Sequence, residues 1–567
     1  MEKQWHHKES PPADAVESLS KQLNINRELA TLLLQRQISE FEQARTFFRP
    51  SLDQLHDPFL MKDLARAVNR IGDAIAQQEK ILIYGDYDVD GTTSVALVYS
   101  FLRTFTPHVD FYIPDRYIEG YGISRQGIEW AAAKDFSLVI ALDCGIRAFA
   151  NSRLARELSI DLIVCDHHLP ADELPDAYAL LDPKRADCQY PYKELSGCGV
   201  GFKLLQGFCL QNSVPLTQLY AYLDLVAVSI ASDIVPISGE NRILTYYGLK
   251  KINTDPQPGI KALINVAGLR NELHISDVVF YLGPRINAAG RLTHARESVR
   301  LLISEDEAEL ADFAARLNKT NAERRTFDQS ITREALAMIE ENPSLREAKT
   351  TVLFHKDWHK GIVGIVASRC TEHYYRPTII LTESNQKATG SARSVEGFDI
   401  YEAISACSDL IEQFGGHTHA AGLTLPLENV EPFKRKFEEV VSQSITQSQL
   451  LPVLEIDLTV DFDFVQYKSF NILKQMAPFG PHNQQPIFES ENVYCKYAPK
   501  ILKEEHLKMT LHQKGGPSFE AIAFGMAHLA PRIDTVTPFR IAYHIDENEY
   551  MGNKSLQLTL KDIKFYH

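Results

Sequence analysis

The sequence predicts an α/β protein with a parallel-sheet domain, a long connecting helix, a second smaller α/β domain and a C-terminal β-barrel. From about residue 60 to 235, apolar strand-like runs alternate with helical patterns, which is typical of right-handed βαβ units. Residues 305–341 favour helix continuously and contain neither glycine nor proline, so they predict one long helix. A second alternating pattern begins near residue 350, and short alternating strands follow residue 452.

These patterns divide the chain into five segments. The first one is predicted to be a polar tail followed by short helices, including residues 28–34. In the second segment, helices are predicted at 124–134 and 151–158, and residues 224–233 are predicted to end a buried helix. We expect an N-terminal helical segment at 1–50, the first α/β domain at 51–304, the connecting helix at 305–347, the second α/β domain at 348–446 and the barrel at 452–567.

Length and composition indicate a globular protein of several domains. The chain has 567 residues, which is too long for one hydrophobic core. Its eight cysteines form no C-x-x-C pair, so we expect a reducing cytoplasm. The start lacks an apolar signal core, and no run reaches the ~18 apolar residues of a membrane span. A net charge of −15 argues against a generally basic nucleic-acid binder, although a groove needs only a local basic stripe.

Acidic and imidazole side chains follow three apolar strand-like runs and one buried helix. In an open parallel sheet, groups beyond the carboxyl ends of the strands converge on one crevice. So many carboxylates in one crevice would repel each other strongly unless a cation neutralised them. Oxygen ligands with one or two imidazoles suit Mg²⁺ or Mn²⁺, and two such ions about 3.5–4 Å apart are the usual apparatus for cutting a phosphodiester. The residues are Asp86, Asp88, Asp90, Asp143, Asp166, His167, His168 and Asp233.

Each cluster also has a simpler explanation. A calcium loop starting at Asp86 would need a bidentate glutamate at its twelfth position, which is Leu97. Asp143 and Asp166 could be helix N-caps. The two adjacent histidines could be one packed and one solvated side chain. The metal site is favoured because it explains all four clusters together.

The triplet Asp166-His167-His168 is the signature of the DHH phosphoesterase family. Further blocks along the chain resemble the RecJ branch of that family, the single-strand-specific exonucleases. The resemblance runs from about residue 50 to the C-terminus. The blocks lie at residues 112–122, 239–242, 282–292, 358–369, 390–394 and 415–422.

The resemblance implies a role for each residue of the acidic cluster. Two Mn²⁺ or Mg²⁺ ions are expected as cofactors, with Asp143 bridging them. Asp86, Asp166 and His168 are expected to be catalytic, Asp86 and His168 as ligands or directly beside them and Asp166 by orienting an imidazole. Tyr84 stands where other branches of the superfamily carry a histidine, which favours the RecJ branch. The metal ligands are expected to be Asp88, Asp90, Asp143, His167 and Asp233.

A second group of residues is expected to hold substrate phosphates. Arginine suits this task because its planar fork binds two phosphate oxygens. Glycines let a backbone approach an anion closely, although Gly415-Gly416 alone would by default be a turn. By resemblance, the nucleic-acid and phosphate-binding residues are Arg116, Arg285, Ser391, Arg393, Gly416 and His417.

The last ~115 residues suit a five-stranded, OB-like barrel, a common platform for single strands. Strands are predicted at residues 453–460, 506–511, 519–524 and 554–560. Four aromatic residues could stack on bases, although each could instead belong to the barrel core: Phe479, Tyr494, Tyr497 and Phe519.

These features together predict a 5′→3′ exonuclease that releases 5′-mononucleotides from single-stranded DNA in repair and recombination. The polarity and the DNA preference come from the resemblance. We expect a monomer in the bacterial cytoplasm, near the nucleoid, with a single-strand-binding protein and a RecQ-type helicase as partners and no contact with a membrane. One alternative is a phosphodiesterase for short oligonucleotides or cyclic dinucleotides, which would not need the barrel. Another is an inactive scaffold, against which the complete acidic cluster argues.

Overall fold

The structure, a computed structural model, describes residues 3–550 and 552–566. The N-terminal segment begins with strand β1 (Gln4–His7), which pairs in parallel with residues 453–456. The predicted polar tail is therefore wrong for residues 4–7, while residues 1 and 2 of that tail lie outside the described residues. Three helices follow, as predicted: α1 (Ala13–Leu23), α2 (Arg27–Leu34) and α3 (Phe41–Phe48).

The N-terminal helices share a hydrophobic core with the C-terminal barrel. Leu19 of α1 and Leu32 of α2 are fully buried together with barrel residues such as Phe462 and Phe488. Burying one apolar helix face is what stabilises such short helices, because helices of this length are marginal alone in water. The first and last segments of the chain therefore form one packed unit.

The first α/β domain contains a five-stranded parallel sheet in the order β3-β2-β4-β5-β6. Its strands are apolar along almost their whole length because helices cover both faces. In chain order its elements are α4 (Leu64–Ala76), β2 (Ile81–Gly85), α5 (Val89–Arg103), β3 (Val109–Tyr112), α6 (Arg125–Ala133), β4 (Leu138–Leu142), α7 (Phe149–Glu157), β5 (Asp161–Cys165) and β6 (Ala179–Leu181).

Eight further helices complete this domain. A π-helical turn, Val278–Leu282, connects the helix that ends at Asp277 to the helix that begins at Gly283. No helix in the described residues is both long and apolar enough to cross a membrane. The helices are α8 (Gly197–Gln211), α9 (Leu216–Tyr220), α10 (Leu223–Asp233), α11 (Gly239–Thr254), α12 (Pro258–Ala267), α13 (Ile275–Asp277), α14 (Gly283–Leu292) and α15 (Arg296–Ile303).

The predicted connecting helix is present as α16 (Glu307–Glu340), with 34 residues. Asp306 caps its start by accepting hydrogen bonds from the N–H groups of Ala308 and Glu309. The helix packs first against α12, α14 and α15 and later against the second domain. It therefore spans both lobes and forms one wall of the space between them.

The second α/β domain has a mixed sheet in the order β10-β11-β9-β8-β7, in which only β7 and β8 are parallel. Gly415 and Gly416 lie in the edge strand β10 and not in a loop. The elements are α17 (Pro343–Glu347), β7 (Thr351–Phe354), α18 (Val363–Tyr374), β8 (Thr378–Ser384), β9 (Lys387–Arg393), α19 (Ile400–Ser405), β10 (Gln413–His417), β11 (Ala420–Pro426) and α20 (Val430–Ser444).

The C-terminal domain confirms the predicted five-stranded barrel, because β14 pairs with both β18 and β16 and closes the ring β14-β18-β19-β17-β16. These strands and their neighbours are β12 (Val453–Ile456), β13 (Leu458–Thr459), α21 (Tyr467–Gln475), β14 (Phe488–Cys495), β15 (Lys500–Leu502), β16 (His506–His512), β17 (Ser518–Ala523), β18 (Phe539–Tyr550) and β19 (Asn553–Phe565).

The single strand predicted at 453–460 is wrong, because the chain changes partner at Asp457. The buried Asp457 carboxylate accepts hydrogen bonds from Ile487 N–H and the Lys8 ammonium, both at 2.9 Å. Before it, β12 pairs with β1, and after it, β13 pairs with β14. The carboxylate thus fixes the point at which the chain leaves the N-terminal strand and joins the barrel sheet.

Candidate metal centre

The four predicted clusters meet at the carboxyl edge of the parallel sheet. In the register of the sheet, Gly85 at the end of β2 pairs with Leu142 of β4, and Leu142 pairs with Cys165 of β5. The next residues are Asp86, Asp143 and Asp166, so sheet register alone places these three aspartates side by side. Helix α10 ends at Asp233 and delivers the fourth cluster to the same edge.

The side chains approach each other closely enough to share cations. The Nε2 atom of His167 lies 3.2 Å from Asp143 Oδ1, 3.6 Å from Asp233 Oδ2 and 3.7 Å from Asp90 Oδ2. Three sets of possible ligand atoms lie within 4.8 Å of one another: Asp86, Asp88 and Asp143; Asp90, His167 and Asp233; Asp143, His167 and His168. Asp143 and His167 each belong to two of these sets.

Burial and mutual repulsion disfavour the ionised form of these carboxyl groups. Burial, followed by the charges of Asp90 and Asp88, raises the pKa of Asp143 well above its ordinary value, and burial followed by the charge of Asp88 does the same for Asp86. Burial and then Asp90 raise the pKa of Asp233 to about 8. Within the described residues, buried Asp86 Oδ1 and both ring nitrogens of His167 lack a hydrogen-bond partner. Unpartnered oxygen and imidazole atoms in a crowded acidic cluster fit divalent cations such as Mn²⁺ or Mg²⁺.

Asp166 lies beside this cluster and is hydrogen-bonded on both oxygens. It accepts from Ile146 N–H at 2.9 Å, from His167 N–H at 2.8 Å and from His168 Nδ1 at 2.7 Å. Burial opposes its ionisation, but the hydrogen bond and charge of His168 lower the pKa of Asp166 to about 2. The same contact outweighs burial for His168 and raises the pKa of that imidazole to about 9. The hydrogen bond to Asp166 therefore restricts the orientation of the His168 ring.

The start of helix α8 holds two of the cluster residues in place. Asp90 accepts hydrogen bonds from Gly197 N–H at 2.6 Å, Cys198 N–H at 2.8 Å and Ser229 Oγ at 2.6 Å. Asp143 has φ +60°, and a Cβ atom at Gly197 would lie 2.6 Å from Asp143 Cβ. Sequence reasoning missed Gly197 and Ser229, because no local pattern shows that α8 and α10 pack against α5.

The helix-capping alternative applies to a different aspartate from those considered in the sequence. Asp88 is the N-cap of α5 and accepts a hydrogen bond from Gly91 N–H at 3.1 Å. Asp143 and Asp166 precede no helix directly, since α7 starts at Phe149 after Ala148. Asp88 can therefore cap α5 with one oxygen and still belong to a set of possible metal ligands.

Arginines from both lobes gather around Arg291 at the end of α14. Burial and then the charges of Arg116, Arg324 and Arg393 lower the pKa of Arg291 to about 10. Arg116 also lies over the ring of Tyr87, 4.7 Å from its centroid, next to Asp86 and Asp88. The predicted residues Arg116 and Arg393 are thus brought together, whereas Arg291 was not predicted as a site residue, although it lies in the block 282–292.

Ser391 and Arg393 lie on β9 beside the start of α18. A Cβ atom at Gly364 would lie 3.1 Å from Ser391 Oγ and 3.2 Å from Arg393 Nη2, so both side chains meet at this glycine. Arg393 also donates from Nε to Ser368 Oγ at 3.2 Å. These contacts direct both predicted side chains to one end of α18, on the side of the second domain that faces Arg291.

The other three predicted phosphate-binding residues have different surroundings. Arg285 donates from Nε to Asn318 Oδ1 at 3.0 Å, so it faces α16, and from Nη1 to the carbonyl oxygen of Tyr281 at 2.7 Å. Gly416 is required by the β10–β11 hairpin, because a side chain there would collide with the backbone of Ala420. His417 is exposed at the end of β10, and its ring centroid lies 6.1 Å from that of His419.

Two tyrosines near the cluster have clear contacts. The hydroxyl of Tyr121 lies 3.2 Å from both the carbonyl oxygen of Asp143 and His168 Nε2, and sequence reasoning missed it although it lies in the block 112–122. The buried Tyr84 hydroxyl donates to the carbonyl oxygen of Gly122 at 3.0 Å and accepts from Ser124 N–H at 3.0 Å. Tyr84 therefore supports the loop that carries Tyr121.

Three known family domains match most of the chain. The model described as DHH family, N-terminal domain, matches residues 80–230; the DHHA1 domain matches 347–443; the RecJ OB domain matches 456–562. The single-stranded-DNA-specific exonuclease RecJ of Bacillus subtilis is 38% identical over 97% of this chain and 70% of its own length. The chain belongs to the RecJ family.

Other RecJ proteins agree with this assignment and confirm the resemblance inferred from the motifs. The Escherichia coli RecJ is 33% identical over 89% of this chain and 90% of its own length. The crystal structure of Thermus thermophilus RecJ in complex with Mn²⁺ has a TM-score of 0.86 and 26% identity, and the match covers 100% of this chain and 80% of that one. A Mg²⁺ complex of the same RecJ has a TM-score of 0.78 and 25% identity, covering 100% of this chain and 79% of that one.

Proposed function

We propose that this RecJ-family chain is a metal-dependent exonuclease for single-stranded DNA. It removes 5′-mononucleotides from the 5′ end and acts in DNA repair and recombination. The observation that carries the proposal is the buried cluster of aspartates and histidines in the same cleft as arginines from both lobes. The names of the relatives support single-stranded DNA as the substrate.

We assign the cluster residues to two cations. Asp86, Asp88 and Asp143 would hold one ion, and Asp90, His167 and Asp233 the other, with Asp143 shared and His168 beside both. When bound, two such ions supply a nucleophile at neutral pH and stabilise the leaving oxygen. Asp166 keeps His168 in place, and the start of α8 keeps Asp90 and Asp143 in place.

We assign the terminal phosphate to the arginine cluster. Arg116 and Arg291 belong to the first lobe, while Ser391 and Arg393 belong to the second. Arg291, whose pKa is lowered by burial and then by its arginine neighbours, lacks a counter-charge, and a phosphate supplies one with matching fork geometry. His417 would contact the strand further out because it is exposed, whereas Arg285 and Gly416 have structural partners that account for them.

The barrel would bind the strand beyond the cleft through Tyr494 and Tyr497. Tyr494 stacks on His512 with ring centroids 5.7 Å apart, and the Lys514 ammonium lies 5.2 Å from the Tyr494 ring. Tyr497 is exposed, with Lys496 beside it. Phe479 and Phe519 instead pack against the barrel core. An outer face with tyrosines and lysines suits stacked bases and their phosphates.

We further propose that the protein acts as a monomer in the bacterial cytoplasm, near the nucleoid. A nuclease for single strands needs duplex DNA to be opened and kept open. A RecQ-type helicase and a single-strand-binding protein would meet that need, so they are the partners we propose.

Two other functions are less well supported. A phosphodiesterase for cyclic dinucleotides or short oligonucleotides has no use for a strand-binding barrel, and the barrel here matches the RecJ OB domain over residues 456–562. An inactive scaffold would not need to maintain three overlapping sets of possible ligands, most of them buried, which cost stability while they lack a cation.

The test is digestion of single strands labelled at either end, in Mn²⁺, beside duplex and dinucleotide controls. The proposal predicts that the 5′ label is released first as a mononucleotide and that the 3′-labelled strand shortens gradually. Early release of the 3′ label, preferential cutting of duplex, or hydrolysis of the dinucleotide alone would overturn the proposal.

A further inference from the structure

A cavity of about 590 Å³ lies where helix α16 meets the loop that follows strand β7. Its volume is in the range of pockets that bind small ligands, and it is large enough for a nucleobase with its sugar. The site described above does not include it. The residues used below are Phe327 and Glu334 from α16 and His355, Lys356, His359 and Lys360 from the loop.

Two pairs of stacked rings line the cavity. Phe327 stacks on His359 with centroids 5.8 Å apart and 27° between the ring planes, and His355 stacks on Trp358 at 5.4 Å and 30°. Phe327 keeps 45% of its surface exposed in the middle of a long helix. An exposed ring that is backed by a second ring is a surface on which a base stacks readily.

The charges around the rings favour a phosphate. Lys356 and Lys360 are exposed at the cavity. The carboxylate of Glu334 is already engaged, because it accepts a hydrogen bond from Trp358 Nε1 at 2.7 Å and lies 3.7 Å from His355 Nε2. Asp357 is the other acidic residue of the lining, so the two lysines and the two carboxylates balance in formal charge. Among the described residues, however, neither Lys356 nor Lys360 forms an ion pair, which leaves both ammonium groups to a phosphate.

The cavity lies next to the arginine cluster. The Lys360 ammonium lies 5.9 Å from the centroid of the Tyr117 ring, and the Tyr117 hydroxyl donates to the carbonyl oxygen of Arg291. Arg291 in turn donates from Nη1 to the carbonyl oxygen of Gly361 at 3.2 Å. Lys360 and Gly361 are adjacent in the chain, so the residue that lines the cavity is directly joined to one that contacts the cluster.

Packing of α16 on the second domain does not account for Phe327. That packing is provided by Ile331, Ala335 and Ile339, which are buried against Ile362 and Val366. Phe327 lies one turn before Ile331 and outside this buried group. Its exposed ring is therefore available to a ligand.

We propose that this cavity is a nucleobase subsite for the substrate strand. An internal base stacks on Phe327 and His359, and the adjoining phosphate lies at Lys356 and Lys360. The strand reaches the cavity after its terminal phosphate is held by Arg116, Arg291 and Arg393. The inference rests on the proposed function, since it takes single-stranded DNA as the ligand.

The test combines variants of Phe327 with strands that lack one base. Single strands with a 5′ label carry one abasic site, moved stepwise from the second nucleotide inward, and kcat/KM is measured in Mn²⁺ for release of the labelled nucleotide. For the wild type, kcat/KM is expected to fall about tenfold when the abasic site stands at one or two neighbouring positions, in line with the usual contribution of a base stacked on an aromatic ring. For Phe327→Ala, kcat/KM on the intact strand is expected to fall by a similar factor, and an abasic site at those positions should not lower it further. Phe327→Tyr should retain the wild-type pattern.

The matched control is Phe41→Ala, because Phe41 is similarly exposed at 51% but lies on α3, outside both lobes of the cleft. It is expected to keep the wild-type kcat/KM and abasic pattern. The subsite is refuted if Phe327→Ala matches the wild type on the intact strand, or if the abasic loss persists in that variant. If wild type releases no labelled nucleotide from the intact strand, the proposed function itself fails, which is a distinguishable result.

Discussion

At the scale of single residues, Asp143 is one of the two side chains that join the sets of possible metal ligands. It belongs to two of the three ligand sets and has a left-handed backbone conformation, which asparagine tolerates well. Asp143→Asn therefore keeps the shape of the site and removes one negative charge. We expect a loss of Mn²⁺-dependent cleavage of at least about a hundredfold, because the shared ligand is weakened.

Asp182→Asn is the matched control for this change. Asp182 is also buried near the sheet edge, where burial raises the pKa of its carboxyl to about 7, but it lies outside the three ligand sets. Its Oδ1 accepts from Lys184 N–H at 2.7 Å, and an asparagine oxygen can do the same. In nuclease assays and Mn²⁺ titration calorimetry, Asp182→Asn should have nearly the activity and the Mn²⁺ affinity of the wild type. An Asp143→Asn protein as active as Asp182→Asn would refute the role of Asp143.

Gly197 illustrates a residue that acts on the metal centre through close packing. Gly197→Ala places a methyl group 2.6 Å from Asp143 Cβ and 2.9 Å from Asp143 Cα, so either Asp143 or the start of α8 must shift. Gly199→Ala is a control in the same turn of α8, where the nearest atom of the new methyl group would be 3.4 Å away. We expect Mn²⁺ affinity and activity to fall at least about tenfold in Gly197→Ala only. Equal values for the two variants, measured by calorimetry and nuclease assay, would contradict this packing argument.

At the scale of elements, one buried arginine joins the barrel to the first domain. Arg242 of α11 donates to the carbonyl oxygens of Met476 at 2.8 Å and Ala477 at 3.0 Å, just beyond the end of α21. It also donates to the carbonyl oxygen of Phe47 at 3.1 Å, and its guanidinium lies 3.9 Å from the Phe47 ring centroid. One side chain thus connects the first domain, the N-terminal helices and the barrel.

Loss of Arg242 should uncouple these units. Arg242→Ala removes the side-chain donor to the carbonyl oxygens of Phe47 and Ala477, so we expect the free energy of unfolding to fall by about 3 kcal/mol. Limited proteolysis should then cut between residues 446 and 480 faster than in the wild type. The exposed Arg45→Ala on α3 is the control, and denaturation curves that coincide for the two variants would argue against the proposed junction.

The elements that sequence reasoning found are those whose signals are local. Residues 305–341 carry helix-favouring side chains throughout, and the β-strands of the first sheet are apolar runs, so both were predictable. The pairing of β1 with β12 was not, because it joins residues some 450 positions apart and three of the four residues of β1 are polar. Asp86, Asp143 and Asp166 could be grouped from the sequence because each directly follows a strand of one sheet. The arrangement of Arg291 with Arg393 could not, because it depends on how two domains pack.

At the scale of the whole molecule, stability and metal binding should be linked through pH. Asp233 has a folded-state pKa raised from 3.8 to about 8, and the pKa values of Asp86 and Asp143 are raised too. Such carboxyl groups bind more protons in the folded than in the unfolded state, so their effect on stability becomes less favourable as pH rises from about 4 to 8. A bound cation replaces those protons.

We therefore expect the increase in Tm caused by Mn²⁺ to be larger at pH 8 than at pH 5. The difference between the Tm values with and without Mn²⁺ reports on the cluster, because groups elsewhere in the protein titrate in both samples. Asp143→Asn should show a much smaller increase at pH 8. Thermal unfolding with and without Mn²⁺ measures this, and an increase that is the same at both pH values would contradict the linkage.

The central claim is that two divalent cations bind among the aspartates and histidines at the carboxyl edge of the first sheet. Anomalous diffraction from crystals soaked in Mn²⁺ tests it most directly, because the signal locates each ion without assumptions about activity. We predict two peaks about 3.5–4 Å apart, one contacting Asp86, Asp88 and Asp143 and the other contacting Asp90, His167 and Asp233. A single peak in the cluster, or peaks only elsewhere in the protein, would contradict the claim.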